Sequence, residues 1–66
     1  MSKYSKEYAE KQIQAAATIL GNRQMSLEVF TYAKIYEAME ELYFQGAYDL
    51  ATDIAIAVIK NKELTD

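Results

Sequence analysis

Apolar residues recur along this chain at three- and four-residue intervals, and two isolated glycines divide the pattern into three stretches. In the first, Ala9, Ile13, Ala16, Ala17 and Leu20 share one face of a helix predicted over about residues 5–20. Ser5 stands where an N-cap side chain is wanted. Glu7 falls in the first turn, where the helix dipole favours negative charge, and Gly21-Asn22 supplies a left-handed stop. The apolar face is thin, because alanine dominates it.

The second stretch predicts a helix over 27–44, with Ser26 as N-cap, Glu28 in the first turn and Met25 placed to pack on Phe30. At 100° per residue, Leu27, Val29, Tyr32, Ile35, Tyr36, Ala38, Met39, Leu42 and Tyr43 fall within an arc of about 200°. Lys34, Glu37 and Glu41 lie opposite. An arc that wide covers more than one neighbour, so this helix is expected at the centre. Gln45-Gly46 ends it.

The third predicted helix spans 47–61, with Leu50, Ile54, Ala57 and Val58 toward the core. Ala47, Ala51 and Ala55 add a small-residue stripe that lets another backbone approach. The polar strip of Asp49, Thr52, Asp53 and Lys60 is narrow; Ile56 falls inside it and Ile59 at its margin. The tail from Lys62 to Asp66 is expected to fray. A strand over Ile54–Ile59 is disfavoured by its interior alanines and its helical flanks. The fold expected is all-α: one compact three-helix domain over 1–66, with helices two and three as an antiparallel hairpin and helix one packed across it.

Composition then narrows the chemistry. The 66 residues include no cysteine, histidine or proline. A disulfide framework, a thiolate metal site, a cysteine nucleophile and the commonest general base are therefore excluded. Glu37 with Glu41, and Asp49 with Asp53, stand four apart on single helix faces, the pattern of a solvated acidic surface. The serines lack a histidine partner, the lysines sit on polar strips, and each glycine stands alone, so no phosphate loop is formed. The expectation is a protein that is not an enzyme and needs no cofactor or metal.

The start of the chain, Met1 to Lys6, offers no apolar leader, and the longest apolar run, 54–59, is far short of the ~20 residues that span a bilayer. A cytoplasmic protein without membrane attachment is expected. Below ~70–80 residues a single core rarely supplies more than ~3–5 kcal/mol, so association is the natural source of further burial.

Six tyrosines are the most informative positive feature. Tyr32, Tyr36 and Tyr43 fall within about 40° on helix two, and Tyr4, Tyr8 and Tyr48 are expected nearby. Such residues serve either as a core boundary, ring inside and hydroxyl in water, or as a binding patch. Charge is uneven: residues 1–23 carry +2, residues 24–53 carry −5 and the remainder balances, giving the net −3. Only 7 basic residues, and a third helix bearing two aspartates, make direct nucleic-acid binding an unfavourable reading.

The run Glu40-Glu41-Leu42-Tyr43-Phe44-Gln45-Gly46 resembles the recognition sequence of the potyviral protease used to remove affinity tags. It lies mid-chain, and Leu42 and Tyr43 continue the apolar arc, so it is read as part of helix two. Gly46, Tyr48 and Ala51 resemble the turn and second-helix start of a tetratricopeptide repeat over about ten residues. That likeness implies an antiparallel helical hairpin; the tryptophan, leucine-glycine and closing proline of the repeat are missing.

These features together predict a small protein-binding module, a regulator, inhibitor or adaptor, that also forms a homodimer. Its expected protein interface is Tyr32, Tyr36, Tyr43, Tyr48, Ile56 and Ile59. Its expected acidic, partner-facing surface is Glu37, Glu40, Glu41 and Asp53, suited to a basic partner. Two other roles share these features: a purely structural self-assembling subunit, and an acidic protein that occludes a nucleic-acid-binding groove of its partner.

Overall fold

A computed structural model describes residues 4–21 and 25–62. Those residues form three helices, α1 (Lys6–Leu20), α2 (Tyr32–Phe44) and α3 (Tyr48–Lys62), with no strand among them. Lys3, Asn22, Arg23 and the tail 63–66, which carry part of the charge and termination pattern, lie outside the described residues.

Caps set the helix ends. The Ser5 hydroxyl accepts from the Tyr8 N–H at 3.1 Å, and Gly21 closes α1 with φ 69°, as the sequence predicts. At the end of α2, Ala47 N–H reaches back to the Leu42 carbonyl at 2.8 Å and Gly46 N–H to that of Tyr43 at 3.0 Å. This is a Schellman closure, which needs the left-handed φ of 85° found at Gly46. The short link Gln45–Ala47 then turns the chain directly into α3.

The start of α2 differs from the sequence expectation. The helix begins at Tyr32 and not at Leu27, and its cap is Thr31, whose hydroxyl accepts from Lys34 N–H at 3.3 Å. Ser26 instead anchors a single turn, its carbonyl taking the Val29 N–H at 3.1 Å. Topology explains the shift. Asn61 at the end of α3 donates through Nδ2 to the Tyr4 carbonyl at 2.8 Å, so α1 runs antiparallel to α3. Lys62 Nζ donates to the Phe30 carbonyl at 2.7 Å, so α2 also runs antiparallel to α3. Helices α1 and α2 are therefore parallel. The link between them must return the length of α1, roughly 22 Å at 1.5 Å per residue. A helix from Leu27 onward would spend residues at that short rise, whereas extended chain covers ~3.3 Å per residue.

That link contributes to the core. Leu27 and Phe30 are buried beside Ile35, Ile13 and Val58. Phe30 just before the cap and Ile35 in the second turn occupy the two positions of a hydrophobic staple. Lys62 also donates to the Glu28 carbonyl at 3.1 Å, so it is a helical anchor for the link and not the first residue of a frayed tail.

The core is built from Ile13, Ile35, Leu42, Ile54 and Val58, all fully buried, with Ala9, Ala16, Ala51 and Ala57 wholly enclosed between them. No polar or charged residue is buried among those described. Helix α3 shares the larger interfaces with both other helices, while α1 and α2 meet least. The central element is thus α3 and not α2, and α1 lies along α3 more than across the hairpin. The wide apolar arc of α2 runs past its core face.

Leu42 lies inside the protease-like run and is fully buried in α2, so cleavage after Gln45 requires the helix to open. The folded protein is expected to resist the potyviral protease. Ile54→Ala, a core change outside the run, is expected to cost about 3 kcal/mol in urea denaturation. It should raise the cleavage rate by roughly a hundredfold, since each 1.4 kcal/mol is about a factor of ten. Rapid cleavage of the wild-type chain under native conditions contradicts the helical assignment.

Candidate interaction surfaces

The tyrosines divide into two groups with different surroundings. Tyr4 and Tyr8 meet edge-on with ring centroids 5.8 Å apart, beside the end of α3. The Tyr8 hydroxyl donates to Asp53 Oδ2 at 2.9 Å, and Gln12 Nε2 donates to both, at 2.9 Å to the hydroxyl and 3.2 Å to the carboxylate. This triad fastens α1 to α3. Tyr4 and Tyr8 therefore belong to that seam and stand apart from the tyrosines of α2. Asp53 is half-buried and held within it, separate from Glu37, Glu40 and Glu41.

The second group lies on the hairpin. Tyr43 and Tyr48 rings pack at 5.5 Å across the α2–α3 turn. Helical spacing continues this face along α2 through Tyr32, Tyr36 and Met39, and along α3 through Ala55 and Ile59. Tyr36 is 65% exposed, Tyr48 59% and Tyr43 43%. Tyr32, Ile56 and Ile59 are half-buried; Ile59 packs against the core, while Ile56 lies at the outer edge of the face on α3. The structure packs Tyr43 against Tyr48, while Tyr32 and Tyr36 share the Tyr43 side of α2, and Ile59 the Tyr48 side of α3, by helical spacing.

Phe44 was not among the sequence candidates, yet it is 91% exposed, more than any other large apolar residue described. Its position on the helical wheel, more than a right angle from Leu42 and Ile35, carried the signal. Proximity to the helix end obscured it.

Around α2 from the tyrosines lies a different surface. An open groove runs between the end of α1, the link and α2, with Leu20, Met25, Phe30 and Ala38 along it and Lys34, Glu37, Glu40 and Glu41 at its rim. Val29 of the link adds an exposed apolar side chain to its wall. The tyrosine face and the acidic groove are thus two surfaces of one helix.

No group of three or more acidic residues is placed to hold a metal ion among the described residues, and no described helix is long and apolar enough to cross a membrane. Compared with protein-family models, with curated proteins and with solved structures, the chain gives no significant match.

The Asp53 carboxylate beside the Tyr8 hydroxyl, reinforced by partial burial, raises the Tyr8 pKa above its ordinary value of 10.0. A raised acid pKa in the folded state means that its stabilising effect is full below the unfolded pKa and is lost as pH climbs through the folded one. Denaturation midpoints are expected to fall as pH rises above about 10, and Tyr8→Phe should flatten part of that fall. Identical high-pH profiles for the two proteins contradict the coupling.

Proposed function

We propose that the protein is a non-enzymatic, cytoplasmic binding module that self-associates through the outer face of the α2–α3 hairpin and acts by occupying a partner protein. The observation that carries this reading is the clustering of Tyr36, Tyr43 and Tyr48, all exposed, on one side of the hairpin. Tyrosine offers large, rigid contact area with a polar tip, and it is enriched at interface hot spots. The structural demand for tyrosine as a core boundary is met elsewhere, by Tyr4 and Tyr8 at the α1–α3 seam. Helix α2 buries Ile35, Ala38 and Leu42 with Met39 packed beside them, which leaves Tyr36 outside its core face.

A small core adds a thermodynamic reason. Among the described residues only five large side chains are fully buried and six of the thirteen buried residues are alanine, and a chain of this size gains stability from association. The chemistry present supports binding over catalysis: carboxylates, tyrosines and aliphatic side chains, without histidine or cysteine.

Sedimentation velocity from nanomolar to micromolar concentration tests this. The wild-type chain is expected to dimerise in the micromolar range, and Tyr36→Asp, which places a charge on the exposed face, should stay monomeric with an unchanged helical circular-dichroism spectrum. A wild-type chain that remains a stable monomer throughout, or a Tyr36→Asp variant that dimerises equally well, overturns self-association through this face.

A further inference from the structure

We infer that the outer strip of α3 pairs antiparallel with the same strip of a second copy of the chain, about a two-fold axis beside Ile56. The assignment rests on the self-association reading above and gives it a geometry. At about 100° per residue, Tyr48 and Asp53 bracket an arc of roughly 140° on α3. Tyr48 borders α2 through its ring contact with Tyr43, and Asp53 borders α1 through the Tyr8 hydroxyl. Between those borders lie Thr52, Ile56, Asp49 and Lys60. Asp49, Thr52 and Lys60 are exposed and Ile56 is half-buried. The Thr52 hydroxyl is turned back to the Tyr48 carbonyl at 3.3 Å, so it asks for no partner outside the helix. Neither Asp49 nor Lys60 has an ion-pair or hydrogen-bond partner among the described residues.

Charge selects the occupant and its direction. Asp49 stands in the first turn of α3 and Lys60 in the last, ~16 Å apart at 1.5 Å per residue, so the strip is negative at one end and positive at the other. A second copy laid antiparallel sets each Asp49 against Lys60 of the other, twice over by symmetry. A parallel copy sets aspartate on aspartate and lysine on lysine. A uniformly basic or acidic partner matches one end and is repelled at the other. The axis midway between residues 49 and 60 passes close to Ile56, so the two isoleucines meet diagonally beside the small Thr52 side chains. The rotation also keeps both α2 helices on one side of the α3 pair, and the Tyr43–Tyr48 pair of each chain comes beside Ile59 of the other. A standard interface takes ~800 Å² per partner, more than one helix strip provides, and the exposed tyrosines widen the contact. Apolar contact then carries the affinity, while the exposed charges fix direction and register.

Sedimentation velocity of the full chain at low salt tests the pairing with Asp49→Lys, Lys60→Asp and the double exchange Asp49→Lys/Lys60→Asp. Each single substitution puts two like-charge contacts into the dimer and is expected to weaken it about tenfold. The double exchange restores both contacts and should dimerise within about threefold of the wild-type chain. Both exchanges oppose the α3 dipole, so recovery in the double variant cannot come from a firmer helix. Circular dichroism checks that each variant stays helical; where a reversed charge unfolds the chain, Asp49→Asn and Lys60→Gln replace it, each weakening the dimer about threefold. In about 1 M salt, where the screening length is ~3 Å, wild type and single variants should converge. Single variants that dimerise as the wild type does, or a double variant no better than either single, overturn the pairing. If that happens while Tyr36→Asp still abolishes the dimer, this inference fails and self-association through the tyrosine face stands. Recovery by the double exchange, with Tyr36→Asp without effect, keeps the α3 pairing and removes the tyrosine face. A wild-type chain that is monomeric throughout removes both.

Discussion

Everything in this small protein leans on α3. Ala51 and Ala57 are wholly enclosed and, with Ile54 and Val58, give α3 a face against which both other helices pack. Alanine at such contacts lets backbones come close, which brings polar side chains of facing helices within hydrogen-bond reach. The Tyr8–Asp53–Gln12 triad and the Asn61 contacts to Tyr4 are made across that seam. They fix the direction of α1, and Lys62 fixes that of the link and α2. With both neighbours antiparallel to α3, the remaining geometry follows: α1 and α2 are parallel, and a returning link is required.

The returning link is where local propensity yields to topology. Ser26, Leu27 and Glu28 read well as the opening of a helix, because a good cap, an acidic first turn and apolar spacing are all local signals. The demand that the chain travel back along α1 is non-local and leaves no mark in those residues. The cost of losing a helical turn is offset by burying Leu27 and Phe30 and by the two carbonyls that Lys62 satisfies. The same path opens the groove beside α2. A feature that looks like an irregularity in the helix pattern is thus what gives the surface its shape.

Much else was legible. Ser5, Gly21 and Gly46 act as the sequence implies, because caps and left-handed turns depend on the residue itself. The core positions Ile13, Ile35, Leu42, Ile54 and Val58 follow from periodicity. The rank of α2 as central helix did not follow, and the reason is tyrosine. On a helical wheel its ring counts toward an apolar arc, although its hydroxyl lets it face water, so an arc of about 200° reads as two buried neighbours. In the folded chain part of that arc faces core and part faces out. Asp53 shows the converse: on a wheel it joins a solvated strip, and only the fold places Tyr8 and Gln12 against it.

Helix α2 therefore has three sides with three roles: Ile35, Ala38 and Leu42 inside, tyrosines toward the outer hairpin face, and glutamates over the groove. The division of the outer two is the central claim, and a dilution series followed by residue-resolved NMR tests it most directly. On dilution from millimolar to low micromolar, amide and ring resonances of Tyr36, Tyr43, Tyr48 and Ile59 are expected to shift together along one binding curve. Those of Leu20, Met25, Phe30 and Glu41 should hold still. Concentration-dependent shifts centred on the groove, or none anywhere, would contradict the account.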